Sequence, residues 1–538
     1  MTATPQIPAN APFSADQRAW LNGYLAGLFS GSNSPATPAA STSRGSLLFL
    51  YGSQSGSSEG LARKFGKLAK KQGFETKVSG LEAFASMDIS KESRIAIITS
   101  TYGDGEMPDN AQQFWDYIKN GSAPKLDHLE FSVLSLGDRN YTFFCEAGRL
   151  IDERLLELGA KRIQDRCDCD VDYDQPAAAW FDSLLGNFGG ASAEAEECAA
   201  ESEESGYTKN NPYPATLKTN LVLNGEGSSK ETRHFEILLD APGLDYEVGD
   251  ALGVLPTNCS DFVSEILAAA GLDGEEPVKD AQGVEHSLRL LLTRCLDLKP
   301  LIEKLPPHGI SAEELCKPLR NLQPRLYSIS SSLKAHPGEV HLTVGMVRYK
   351  LEGLARKGVC STFLADRVSG DHTVPVFIHK SPSFRLPADS TKPVIMVGPG
   401  TGIAPFRAFL HERRATGATG KNWLFFGDQR ADCDFLYREE LLEMQKDGHL
   451  TEFHTAFSRD QAEKLYVQHR MIENANELWN WFQEGASFYV CGDAKRMAKD
   501  VDAALHQVAE IAGGLDAGQA VAFVNQLKIE KRYLRDVY

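Results

Sequence analysis

From Ser46 onward, short apolar runs give way to polar, glycine-rich loops and then to residues at helical spacing. Leu47 to Tyr51, Arg94 to Ser100 and Phe131 to Leu136 are such runs, too short for helices and apolar on both faces. This predicts buried parallel strands with crossover helices, a doubly wound α/β sheet that binds ligands at the carboxyl ends of its strands. After about residue 209 the rhythm changes. T-R-H-F-E-I-L-L and Tyr246 to Val254 alternate apolar with polar, as antiparallel strands do. Between about 257 and 320 the spacing turns helical, and alternation resumes at Arg325. An antiparallel β-barrel with a helical insert is the simplest arrangement. At Pro393 strand and helix alternate again, with apolar runs at Pro393 to Val397, Trp423 to Asp428 and Phe488 to Asp493.

Two segments stand outside this pattern. Residues 1–45 hold one amphipathic stretch, with Trp20, Leu21, Tyr24, Leu25 and Leu28 at helical spacing, then a Ser/Pro/Ala tether. Such a helix buries its stripe only against its own body or another subunit. Residues 187–208 are acidic and small, a flexible linker by composition; a coil of roughly 20 residues reaches about 25 Å. The expected partition is therefore a tail 1–45, an α/β domain 46–186, a linker 187–208, a β domain 209–390 and a second α/β domain 391–538.

Charge narrows the function. A formal net charge of -17 argues against a nucleic-acid binder, which needs a basic footprint. The sequence has no apolar run of membrane-spanning length, and Met1 to Pro8 lacks a signal-peptide layout, so a cytoplasmic protein is expected. Ten cysteines without C-x-x-C suit reduced thiols, and Cys167-Asp168-Cys169 reads as structural rather than metal-binding.

The loops carry the chemistry. Ser53, Ser55, Ser57 and Ser58 open a helix with hydroxyls and amides but no lysine, a cradle for a monophosphate and not a Walker loop. Tyr102, Tyr141, Phe143 and Phe144 in the next two strand-end loops can sandwich a flat ring, so flavin mononucleotide is expected. In Arg325-Leu326-Tyr327-Ser328, the arginine can fork onto a phosphate, the tyrosine can lie on a conjugated ring, and the serine can donate or accept. Alone, the same stretch is more simply a strand with one exposed arginine. Gly398, Gly400 and Gly402 before a helical pattern let the backbone approach a pyrophosphate.

G-P-G-T-G-I-A-P-F-R-A-F, N-W-L-F-F-G, Y-V-C-G-D-A-K-R-M-A-K-D-V and a terminal R-D-V-Y occur together and in order. On these motifs, from Ser46 to Tyr538, the chain resembles the diflavin reductases, the family of cytochrome P450 reductase. Within it, the chain is most similar to the flavoprotein subunits of NADPH-dependent sulfite reductase. The resemblance implies a flavodoxin-like FMN domain, an FAD-binding barrel with a reduced helical insert, and a ferredoxin-NADP-reductase-like, Rossmann-type NADPH domain. For FMN it implies a phosphate loop of Ser53, Gln54, Ser55, Gly56, Ser57 and Ser58. Ser100, Thr101, Tyr102 and Gly103 would then enclose the ring. So would the third loop, which runs Leu136, Gly137, Asp138, Arg139, Asn140, Tyr141, Thr142, Phe143, Phe144 and Cys145. For FAD it implies Arg325, Leu326, Tyr327 and Ser328, then Thr343, Val344, Gly345 and Tyr349, with Gly358, Val359, Cys360 and Ser361 at the pyrophosphate and Thr293 from the insert.

For NADPH it implies Gly400 and Thr401, and for the 2′-phosphate Ser458 and Arg459, then Lys464, Leu465, Tyr466, Val467 and Gln468, with Asp500 in the same set. Arginine and lysine suit a dianionic phosphate, where an NAD site would place a carboxylate. Ser328, Cys491 and Asp536 match the family's polar trio beside the nicotinamide, and Tyr538 its ring over the flavin. Cys491 alone reads equally well as a buried core thiol. Asp104 and Glu106 are either solvated turn acids or contacts for a basic partner. The implied activity passes electrons from NADPH through FAD and FMN to a sirohaem and iron–sulfur subunit that reduces sulfite to sulfide; the chain has no cluster-binding cysteine pattern of its own. A homo-oligomer through the N-terminal region is also implied. A stand-alone reductase for another acceptor and a non-catalytic flavin-binding protein are the alternatives.

Overall fold

The computed structural model describes residues 44–53, 56–86, 89–103, 105–121, 123–139, 142–171, 173–188, 206–280, 283–368 and 373–538. The expected N-terminal helix, most of the 187–208 segment, and Gln54, Ser55, Asp104, Asn140 and Tyr141 lie outside them.

Strands β1 (Ser46–Gly52), β2 (Glu75–Gly80), β3 (Arg94–Ser100), β4 (Glu130–Leu136) and β5 (Lys161–Arg162) form a parallel sheet in the order β2-β1-β3-β4-β5, and β6 (Cys167–Cys169) also pairs with β4. Its strands are apolar on both sides because each side feeds a core. Leu47 and Phe49 pack with Leu61 and Phe65 of the helix Ser57–Lys71 and with Trp180 and Phe181 of Asp174–Asn187. Leu48 and Leu50 pack with Phe114 of Asp109–Lys119 and Ile151 of Glu146–Glu157. The chain leaves β1 for β2 on one side and returns to β3 on the other, so a crevice opens beyond the carboxyl ends of β1 and β3.

The second sheet is antiparallel. β7 (Tyr213–Val222), β8 (Thr232–Leu238) and β9 (Ala251–Val254) precede a hairpin of β10 (Pro277–Lys279) and β11 (Glu285–Ser287). β12 (Arg325–Ser328), β13 (Glu339–Gly345), a second hairpin of β14 (Arg348–Leu351) and β15 (Leu354–Lys357), and β16 (Val374–His379) follow. The order is β12-β9-β16-β7-β8-β13 around a core that includes Phe235, Leu252 and Leu342. Among the described residues the ladder is open: only the isolated bridge Ile329↔Leu342 joins its two ends. Between β9 and β12 lie the helices Ser260–Ala270, Leu288–Arg294, Lys299–Glu303 and Ala312–Cys316, with their own core around Ile266, Leu291 and Leu292.

The third sheet is parallel again: β17 (Val394–Val397), β18 (Asn422–Asp428), β19 (Glu452–Phe457), β20 (Ser487–Gly492) and β21 (Tyr533–Val537), in the order β19-β18-β17-β20-β21. Gly402 lets the turn before the helix Ile403–Ala415 lie on β20, since a Cβ there would sit 2.1 Å from the Cys491 carbonyl oxygen. The helix after β20 runs Met497–Ile511. Asp493 caps the intervening turn, its carboxylate accepting from the N–H groups of Lys495, Arg496 and Met497.

Polar contacts join the three units. Buried Arg407 donates to the Ser330 carbonyl at 2.9 Å and pairs with Glu440. The Tyr437 hydroxyl meets His234 Nδ1 at 2.9 Å and Thr343 Oγ1 at 2.6 Å. Arg535 forks onto Asp109, Lys499 meets Glu106 at 2.7 Å, and Arg320 meets Asp170 at 3.0 Å, so the first unit is held against both others. No helix among the described residues is long and apolar enough to cross a membrane.

Burial, with Arg407 adding to it, lowers His234 from 6.5 to about 4. The unfolded chain then takes up the proton first, so stability is lost as pH falls from 6.5 toward about 4. The thermal midpoint is expected to drop on acidification through this window, and His234→Gln to flatten that slope. An unchanged slope in scanning calorimetry contradicts the burial account.

Candidate functional site

The first loop sits where β1 meets the helix Ser57–Lys71. Gly56, at φ +93, makes the turn; its N–H donates to Ser53 Oγ at 2.9 Å, and the Ser53 N–H donates to Asn110 Oδ1 at 2.8 Å. Ser58 Oγ is buried at the opening of the helix with no partner among the described residues. The Tyr102 hydroxyl in the second loop is likewise buried and unpaired, and burial raises its pKa. Tyr102 and Glu106 exchange backbone hydrogen bonds, closing that loop on itself. Ser100 Oγ donates to the Gly52 carbonyl at 3.4 Å, which ties the second loop to the first. In the third loop Phe143 is 46% exposed, Arg139 lies over the Phe144 ring, and Cys145 turns the chain at φ +56 into the helix Glu146–Glu157. Leu136 is packed in the core below. A phosphate cradle with an orphaned hydroxyl, set beside exposed aromatic edges, fits a flavin monophosphate.

The second site is on the antiparallel sheet. Arg325 donates to the carbonyls of Gln323 and Pro324 and makes no ion pair among the described residues, which leaves its charge for a phosphate. Burial raises the Tyr327 phenol, and the Cys360 thiol beside it adds to this. Tyr349 is 42% exposed. The Gly358 N–H donates to the Val347 carbonyl at 2.8 Å, and Ser361 Oγ accepts from the Val347 N–H at 3.3 Å, which shapes the turn before the helix Val359–Thr362. Three expected contacts face elsewhere. Thr343 turns its hydroxyl to Tyr437, Val344 fills the core, and Thr293 closes its hydroxyl onto Arg289 of its own helix at 2.7 Å. Alternation along β13 explains the first two: one side chain in two faces the third unit and the other faces the core.

The third site is a cleft of about 1100 Å³ at the carboxyl ends of β17, β18 and β20. Gly400, Thr401, Ser458, Tyr466, Gln468, Asp500 and Tyr538 line it. Gly400 is at φ +58, a backbone that favours glycine where a ligand comes close. Gln468 Nε2 donates to Asp500 Oδ2 at 3.2 Å. Arg459 and Lys464 are exposed close to that edge in sequence, Leu465 packs against the core, and Val467 belongs to the core while also lining the cleft. The cleft also holds Ser228, Lys230, Arg348 and Arg496, which the sequence reading missed. Lys230 reaches across from the β7–β8 turn to pair with buried Asp428. The polar G-E-G-S-S-K-E turn was the only signal for it.

Where the second and third sites meet, three polar side chains converge. Register sets Cys491 of β20 beside Asp536 of β21. Ser328, at the end of β12, donates to Asp536 Oδ2 at 2.5 Å, and the fully buried Cys491 thiol faces the same oxygen at 3.8 Å. Burial raises the Asp536 carboxyl, against the two donors, and burial also raises the Cys491 thiol. Tyr538 shares a hydrogen bond with Thr401 Oγ1 at 2.8 Å and is 57% exposed. The group can hold a charge or proton beside a reacting ring, but the buried thiol is no nucleophile.

Comparison with known proteins follows the same three units. The flavodoxin model matches residues 49–200, the FAD binding domain 206–282 and 275–363, and the oxidoreductase NAD-binding domain 396–503. This succession defines a reductase with two flavins, FMN in the first unit and FAD in the second, and a nicotinamide nucleotide in the third. The sulfite reductase [NADPH] flavoprotein alpha-component of Bacillus subtilis is 43% identical over 97% of this chain and 95% of its own length. Those of Vibrio parahaemolyticus and Mannheimia succiniciproducens are each 41% identical, over 98% and 97% of this chain and 93% and 96% of theirs. The chain belongs to the family of sulfite reductase [NADPH] flavoprotein alpha-components.

Ser328→Ala removes one donor to a buried carboxylate. The expected effect on reduction of FAD by NADPH is roughly tenfold slowing, about 1.4 kcal/mol, with both flavins retained. Stopped-flow absorbance with flavin analysis checks this; full-rate reduction contradicts the placement.

Proposed function

We propose that this chain is the electron-input subunit of an NADPH-dependent sulfite reductase, built of units 46–186, 209–390 and 391–538. It hands electrons to a separate haemoprotein subunit that turns sulfite into sulfide. The observation that carries this reading is the set of contacts on consecutive residues of β21. Asp536 meets Ser328 of the FAD-binding sheet and Cys491 on β20 of the third unit, while Arg535 forks onto Asp109 of the flavodoxin unit. One short strand thus touches the donor, relay and output units.

Bound FAD and FMN would supply the redox chemistry, FAD as hydride acceptor and FMN as single-electron donor. The chain's own residues bind and orient. Arg325 and the Gly358–Ser361 turn hold the FAD phosphates, and Ser53 to Ser58 hold that of FMN. Arg459 and Lys464, with Ser458 and Tyr466, hold the 2′-phosphate of NADPH. Asp536, kept in place by Ser328, orients the nicotinamide and balances charge that develops beside it. Tyr538 covers the reacting face and moves aside for the nicotinamide. The six-stranded sheet acts as the FAD barrel, with the helices between β9 and β12 as its connecting insert. The N-terminal segment assembles copies of the chain, in keeping with its amphipathic sequence, and the protein works in the cytoplasm.

NADPH oxidation is expected to yield sulfide from sulfite only when a sirohaem and iron–sulfur partner is added. Failure with every such partner, alongside normal reduction of other haem acceptors, points instead to a stand-alone reductase. Arg459→Ala is expected to shrink the preference for NADPH over NADH roughly tenfold or more, as loss of a charge-assisted contact does. An unchanged ratio of kcat/KM values contradicts the 2′-phosphate assignment.

A further inference from the structure

Cys167 and Cys169 are two residues apart on β6, so both side chains leave the strand on one face. Their sulfurs are 3.7 Å apart. Asp168 between them is held by Arg166 through two bonds of 2.7 and 2.9 Å. Cys169 is buried and Cys167 partly exposed. A hydrogen bond from the Cys169 thiol lowers the Cys167 pKa. One reachable sulfur with thiolate character thus stands beside one resolving thiol.

The same strand carries the third flavin loop. The Gly137 N–H donates to the Cys169 carbonyl at 2.9 Å, and the Cys145 thiol donates to that oxygen at 3.6 Å. The Arg139 N–H donates to Asp170 Oδ1 at 3.1 Å, and Asp170 Oδ2 accepts from Arg320 of the second unit at 3.0 Å. Both ends of the 137–145 loop hang from Cys169, and Asp170 adds a third tie.

We propose that Cys167 and Cys169 form a reversible disulfide on exposure to hydrogen peroxide, and that its formation breaks the ties of Gly137, Arg139 and Cys145 to this strand and releases FMN. This rests on the assignment of the 137–145 loop to FMN. The Cys167 thiolate attacks one peroxide oxygen; the O–O bond breaks, leaving a sulfenic acid and hydroxide. The Cys169 sulfur then displaces the sulfenic oxygen, which leaves as water when the S–S bond forms. Two thiols lose two electrons and two protons, and one peroxide becomes two waters. The sulfurs must close from 3.7 Å to about 2 Å. An extended strand holds Cα atoms two residues apart at roughly 6.6 Å, the upper edge of what a disulfide spans, so β6 itself must contract and turn the Cys169 carbonyl.

The test treats the full-length holoprotein with hydrogen peroxide, maps its peptides by mass and measures flavin retention after gel filtration. The expected product is a Cys167–Cys169 link, lighter by two hydrogen atoms, with FMN lost and FAD kept. Dithiothreitol with added FMN is expected to restore it, and Cys167→Ser and Cys167→Ala to keep FMN under peroxide. A Cys145–Cys169 link, oxidised Cys167 without a link, or a Cys167–Cys169 link with full FMN retention each overturns the proposal. Reduced protein that holds no FMN overturns the loop assignment, and the proposal with it.

Discussion

The bond from Ser328 to Asp536 ties together residues 208 positions apart, and the arrangement of the three units follows from it. It fixes the last strand of the third sheet against the β12 edge of the second. Because side chains alternate along β21, the neighbouring Arg535 must then face the other way, toward Asp109 on the flavodoxin unit. Parallel register with β20 adds Cys491 to the same carboxylate. Burial that would favour a neutral Asp536 is opposed by those two donors, so the site holds a carboxyl whose charge responds to what lies beside it.

The ionic contacts between units serve different ends. Arg407 and its partner Glu440 both belong to the third unit, and buried Arg407 reaches the second through the Ser330 carbonyl and His341 Nδ1. Burial pushes the Glu440 carboxyl up, but His411 and Arg407 hold it at about 2. Removing Glu440 would leave the Arg407 charge buried and unpaired, so the pair holds Arg407 where it meets the second unit. Arg535–Asp109, Lys499–Glu106 and Arg320–Asp170 are thinly spread along the flavodoxin unit, two of them substantially exposed. Exposed pairs contribute about 0–1 kcal/mol each and weaken with salt. Of the three contacts on the flavodoxin unit, Arg535–Asp109 is the most buried, and the other two are exposed pairs that salt weakens.

Much of this was legible in the sequence. The apolar runs of β1, β3, β4, β17, β18 and β20 lie where their length and flanking glycine-rich loops put them, because short runs apolar on both faces suit strands buried on both sides. The loops after them were readable from glycine, serine and aromatic content. What sequence physics alone left open was Cys491, equally a core thiol until the resemblance placed it beside Asp536; in the structure it is both buried and part of the group. Asp109 carried no local signal and Lys230 only its polar turn, while Arg496 and Arg535 lay in recognised motifs without an assigned role, since their roles arise from how the units pack. The side-chain directions of Thr343 and Val344 were missed for a related reason: which face of β13 meets the third unit is a tertiary fact.

The central claim is that β21 joins hydride entry to electron exit through adjacent residues. Stopped-flow reduction by NADPH of Arg535→Ala, which resolves FAD and FMN reduction, tests it most directly. The account predicts that FAD is reduced at the unaltered rate while transfer on to FMN slows. Unaltered transfer to FMN, or slowing confined to the first step, would contradict it.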